Sequence, residues 1–115
     1  IISHTPSIVT RCKGFDTFTS FGPVVDTEID IKKAGIRTYL NGKKVQEDST
    51  ANQIFSSAFI VSYLSQCMTF YPGDVISTGT PHHCLAMQDG DKVEIEIDGI
   101  DMKLVNYVYD PKQHS

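Results

Sequence analysis

A chain of 115 residues carrying a net charge of −4 is long enough for one domain and too short for two ordinary ones. Hydrophobic residues at 40% and charged residues at 21% give the balance of a soluble globular protein, which excludes a disordered chain. The acidic balance and scattered lysines argue against nucleic acid, and the longest apolar run, AFIVSYL, is too short to cross a bilayer.

Three cysteines, Cys12, Cys67 and Cys84, are widely spaced and odd in number, the pattern of reduced thiols in a cytoplasmic compartment. The chain opens IISHTPSIVT, with no methionine and no signal-peptide pattern, so this start is expected to be a processed end or a fragment boundary.

In chain order, FTSFGPVVDTEID (18–30) mixes β-branched and aromatic residues around Gly22-Pro23 and predicts strand, turn, strand. IRTYLNGKKVQED (36–48) is the clearest local signal. Asn41-Gly42 tolerates the two positive φ angles of a type I′ hairpin turn. The spacing of Ile60, Val61, Leu64 and Met68 predicts the one main helix, over residues 56–68, with Ser56 or Ser57 as its cap. Tyr71-Pro72-Gly73-Asp74 then turns the chain into a predicted strand at 74–78. DKVEIEIDGIDMKLVNYVY (91–109) alternates at period two around Asp98-Gly99, a second predicted hairpin. The fold class is α+β, β-rich.

Several residues could carry chemistry. Glu94 and Glu96 share one strand face at a spacing that suits two metal carboxylates, but simple alternation explains them, with Val93, Ile95 and Ile97 inside. His82, His83 and Cys84 could ligate zinc, yet adjacent side chains on an extended chain diverge and no second ligand pair is well spaced. A polar loop is the expectation there. Cys84 as a nucleophile would need a base, and none is evident. Lys13, in RCKGFDTF, reads on its own as a surface lysine.

Three blocks, KGFDTFTSFGPVV, YLNGKKVQEDSTANQIFSSAFIVSYLSQCMTFYPGDVISTGTP and GDKVEIEIDGI, together resemble the fumarylacetoacetate hydrolase family. Their order and spacing are similar to the C-terminal half of its catalytic domain, over about residues 11–107. The likeness is greatest to the acylpyruvase, oxaloacetate decarboxylase and hydroxyheptadienedioate isomerase members. This resemblance implies a mixed β-roll with one main helix. It also implies that residues 1–115 are a partial catalytic domain lacking the N-terminal metal carboxylates.

The resemblance further implies a divalent-metal-dependent enzyme, with Mg²⁺ or Mn²⁺ held by ligands outside this chain, acting on C–C bonds of small 2-oxo or 2-enol acids. It places Lys13 as the catalytic ammonium, and Gly79 and Thr80 as substrate-binding residues, in a homodimer that binds neither nucleic acid nor membrane. Glu94 and Glu96 align with a structural strand. Two departures stand out: HHCLAMQ replaces a glycine-rich turn after Thr-Gly-Thr-Pro, and Gln53 replaces a common methionine. The other readings are a truncated, catalytically silent module kept for dimerisation, and a zinc-binding loop.

Overall fold

The computed structural model describes residues 12–114, and its sheet grows outward from one hairpin. Strands β1 (Gly35–Leu40) and β2 (Lys43–Ser49) pair antiparallel across Asn41-Gly42. Both turn residues take positive φ, 51° and 80°, as the sequence predicts. The turn is tied down by its own asparagine: Asn41 Oδ1 accepts from the Lys92 N–H at 2.9 Å, and Asn41 Nδ2 donates to Asp91 Oδ1 at 2.7 Å. This brings β3 (Lys92–Ile97) alongside β1, and β4 (Leu104–Tyr107) pairs with β3 on its far side. The order is β2-β1-β3-β4, antiparallel throughout.

Register sorts the two faces. Ile36 pairs with Ile97, Thr38 with Ile95 and Leu40 with Val93, which makes one face largely apolar. The other face carries Arg37 opposite Glu96 and Tyr39 opposite Glu94. Between Thr38 and Tyr39 the β1–β2 register shifts, so that Val45 is the extra residue of a bulge in β2.

On the charged face Arg37 binds Glu47 Oε1 through Nε at 3.0 Å and reaches Glu96 at 3.3 Å and Asp98 at 2.7 Å through Nη1. Lys103 adds a second bond to Glu96 at 3.1 Å and stands 4.8 Å from the centre of the Tyr39 ring. Glu94 pairs with Lys92 at 3.2 Å. The two glutamates are therefore held by cations rather than standing free in water.

The helix α1 (Ser57–Ser65) is shorter than the predicted 56–68. Ser56 is its cap, with Oγ accepting from the Phe59 N–H at 3.2 Å. Ser57, Ile60 and Leu64 are half-buried, whereas Val61 and Met68 are exposed, so the inward stripe is narrower than the sequence pattern suggests. Phe55, Phe59 and Tyr63 stack along its outer side, with ring centres 5.2 and 6.2 Å apart.

Three expectations fail locally. Residues 18–30 form no strands. The Asp26 carboxylate accepts from the Glu28 and Ile29 N–H groups, and Asp30 from Lys32, so local turns replace a ladder. Residues 74–78 form no strand and do not join the sheet. The β3–β4 connection spans 98–103 rather than two residues, because Asp98 is recruited away to Arg37 and Gly35.

Among the described residues, Ala34 is the one buried apolar side chain, at 7% exposure. One four-stranded sheet with one helix has no second layer to close a core. The same residues contain no helix long and apolar enough to cross a membrane.

The ion-pair face sets a pH response. Arg37 holds the Asp98 carboxyl below the usual carboxylate range, and Lys44 followed by Arg37 does the same for Glu47. A carboxyl depressed on folding contributes stability above its unfolded pKa, near 4, that is lost as pH falls through the folded value. Denaturation midpoints should fall as the wild type is acidified below about pH 4, and the Arg37→Met variant should show a shallower fall. Equal acid limbs in the two proteins would show that the cluster contributes nothing.

Candidate functional site

An open cleft of about 440 Å³ lies where the end of β2, the segment after it, α1 and residues 78–82 meet. Its floor is built by the exit from β2. Ser49 caps a 3₁₀ turn at Thr50–Asn52 by accepting from the Ala51 N–H at 3.2 Å. Thr50 donates to the Ala34 carbonyl twice, through its N–H at 2.9 Å and through its hydroxyl at 3.3 Å. Gln53 accepts from the Ser57 hydroxyl at 3.3 Å, linking this floor to the start of α1. Ile36, Ile54, Phe55 and Ile60 supply the apolar part of the wall.

The other wall is the Thr78-Gly79-Thr80-Pro81-His82 corner. Gly79 has φ +106°, a region closed to most L residues. Gln46 of β2 holds the corner from outside the cleft. Its Nε2 donates to the carbonyls of Pro81 and His82, both at 3.2 Å. The next residue, His83, takes φ 68°. This turns the chain so that the two imidazole rings stand 6.4 Å apart and only His82 lines the cleft.

Asp48 and His82 are the titratable side chains that line the cleft. Asp48 Oδ1 accepts from Asn52 Nδ2 at 2.6 Å and from the Ser49 N–H at 2.8 Å. Those bonds, Asn52 first, hold its carboxyl below the usual range, and the charge of His82 adds to the effect. Thr80 is exposed and makes no hydrogen bond among the described residues, which leaves its hydroxyl available to a ligand.

The structure thus brings Gly79 and Thr80 into one cleft. Lys13 lies outside the residues that line it. The Lys13 side chain is exposed, and its carbonyl accepts from the Thr19 hydroxyl at 2.7 Å. Sequence reasoning missed Gln46, Asp48 and Asn52. Alternation from the Asn41-Gly42 turn could have placed Gln46 and Asp48 on one face of β2. The 36-residue separation between Gln46 and His82 could not be read that way. Among the described residues, no three His, Cys, Asp or Glu side chains come together as metal ligands.

Comparison with known proteins gives a consistent picture. Residues 3–108 match the family model for the fumarylacetoacetate (FAA) hydrolase C-terminal region. The chain is 45% identical over 101 residues to a 4-hydroxyphenylacetate degradation bifunctional isomerase/decarboxylase of Salmonella dublin, covering 85% of this chain and 23% of that protein. It is similar to the crystal structure of 2-hydroxyhepta-2,4-diene-1,7-dioate isomerase from Mycobacterium marinum, with TM-score 0.86 and 39% identity, over 93% of this chain and 43% of that one. A maleylpyruvate hydrolase from Sphingobium sp. SYK-6, in complex with manganese(II) and pyruvate, matches with TM-score 0.78 and 28% identity, over 83% of this chain and 37% of that one. The chain therefore spans less than half the length of each of these relatives.

The corner makes a testable demand on Gly79. No atom stands within 4 Å of a Cβ built there, so the cost of Gly79→Ala is backbone conformation rather than collision. The variant should lose about 1–2 kcal/mol in chemical denaturation. Wild-type stability in Gly79→Ala would mean that the corner adopts another conformation.

Proposed function

The chain belongs to the fumarylacetoacetate hydrolase C-terminal family, and on that premise we propose that it is part of a divalent-metal-dependent enzyme acting on C–C bonds of small 2-oxo or 2-enol acids. The observation that carries the reading is the meeting, in one cleft, of the Gly79-Thr80 corner with the polar exit of β2. The names of the relatives, covering an isomerase, a decarboxylase and a hydrolase, support a shared chemistry of this kind.

Breaking or moving a bond beside a carbonyl drives an electron pair onto the carbonyl oxygen, forming an enolate. Donors fixed near that oxygen lower the barrier. In this reading Lys13 supplies an ammonium to the developing charge. Thr80 donates its hydroxyl to the substrate, and Gly79 lets the backbone come close. The half-buried Ile36 and Ile60 supply an apolar surface on one side of the ligand.

A divalent ion does not fit the described residues. Glu47, Glu94, Glu96 and Asp98 are engaged by lysine and arginine partners, and no ligand group assembles elsewhere among them. The manganese in the maleylpyruvate hydrolase structure supports Mg²⁺ or Mn²⁺ as the family's ion, with ligands that lie outside this chain. The 115-residue chain alone should therefore bind Mg²⁺ weakly or not at all. Micromolar affinity in calorimetry, lost on replacing Glu94 and Glu96, would contradict this.

In the whole protein the sheet becomes part of a mixed β-roll, and the protein acts as a homodimer in the cytoplasm. The exposed thiols of Cys67 and Cys84, both unpaired, support a reducing compartment. A truncated, catalytically silent module kept for dimerisation is the second reading, favoured by exposed apolar residues such as Ile54, at 92% exposure, and Val25.

Kinetics on an acylpyruvate or oxaloacetate separate the two. In the whole protein, Lys13→Ala should lower turnover by about 10²–10³-fold, more than it weakens binding. Thr80→Val should act chiefly on the Michaelis constant, by roughly 1–3 kcal/mol. Unchanged turnover in a folded Lys13→Ala protein removes the lysine from the mechanism, and absence of any turnover in the wild type favours the silent module.

A further inference from the structure

We propose that Gln46 is a positioning residue: by holding the Pro81 and His82 carbonyls it fixes where the Thr80 hydroxyl stands, and so sets how tightly the cleft holds its ligand. This rests on the reading of Thr80 as the group that donates to a 2-oxo acid. Gln46 is not among the residues that line the cleft, and it acts through the backbone alone.

Its aim comes from the bulge in β2. Gln46 stands opposite Thr38 and Lys44 opposite Tyr39, which leaves Val45 as the extra residue. Strict alternation would put Lys44, Gln46 and Asp48 on one face. The bulge breaks that set. Lys44 joins Glu47 and Arg37 on the charged face, where both cations bind the Glu47 carboxylate. Gln46 and Asp48, opposite Thr38 and Ile36, go to the face where the cleft opens.

The stretch that Gln46 meets there has few other restraints. Residues 75–87 belong to no strand or helix. Among the described residues, no hydrogen bond joins this stretch to the rest of the chain except the two from Gln46 Nε2, both at 3.2 Å. The backbone is bent on either side of the tie, with φ +106° at Gly79 and 68° at His83, and a residue other than glycine holds the second value only at a cost. Carbonyls only accept, so two neighbouring ones call for a side chain with two N–H donors, which the glutamine amide supplies. Thr80 comes directly before Pro81, the first residue held. With the tie gone, the exposed Thr80 hydroxyl has no fixed place.

The experiment is a double-mutant cycle on the whole protein with Mg²⁺ present, read as equilibrium binding of pyruvate, a three-carbon 2-oxo acid. Gln46→Met keeps the length and removes both donors. Gln46→Glu keeps the shape and turns an acceptor towards the two carbonyls. Either should weaken pyruvate binding by about three- to tenfold, bounded by the one hydrogen bond that Thr80 contributes. In a Thr80→Val background the same substitutions should change binding by less than about twofold, because the hydroxyl they position is gone. A merely structural role predicts the same loss in both backgrounds. That result overturns the positioning role and leaves the oxo-acid site standing, as does wild-type binding by a folded Gln46 variant beside a weakened Thr80→Val. Failure of both Gln46 variants to fold overturns it too, since it assigns the glutamine to the stability of the chain. A wild type that binds no pyruvate, or a Thr80→Val protein that binds it equally well, overturns the reading of Thr80 and this proposal with it.

Discussion

The start of β1 is the joint on which the rest of the sheet and the cleft depend. The Ala34 carbonyl takes both donors of Thr50, and the Gly35 N–H and carbonyl exchange hydrogen bonds with Asp98, at 3.1 Å to its carboxylate and 2.9 Å from its N–H. One dipeptide thereby fixes where β2 ends and where β3 ends. A Cβ at Gly35 would run into Asp98 Oδ2, so a larger residue here would push aside the carboxylate that also binds Arg37. Because Thr50 begins the cleft floor, the same joint that registers the strands also places the site.

Electrostatics and apolar contact are divided between the two faces of the sheet. The charged face closes on itself through Arg37, Lys103 and their carboxylates, which leaves few of its groups for a ligand. The opposite face keeps Ile36 and Asp48 at its β2 end, where the cleft opens. Paired surface charges contribute little individually. Glu94 and Glu96 belong to this network. Their resemblance to a metal pair comes from strand alternation alone.

What the amino-acid sequence revealed follows the range of the forces involved. Asn41-Gly42 and the Ser56 cap were legible because each is decided within four residues by backbone conformation or one short hydrogen bond. The stretch at 18–30 misled for a related reason. Its β-branched residues suggested strands, and Asp26 and Asp30 instead captured nearby N–H groups. Gly79 and Thr80 were singled out only through the likeness of the whole block to a family, while Asp48 and His82 line one cleft only because the chain returns to β2 after 34 residues. Periodicity carries no information about such returns.

The bulge at Val45 has a bearing on self-association. β2 is an edge strand, and an edge offers unpaired N–H and C=O groups to any second chain. The extra residue disturbs the spacing of those groups, and Lys43 and Lys44 bring two cations to the same border, where a copy of the strand would bring two more. Ladder extension from this side is therefore opposed by both geometry and charge.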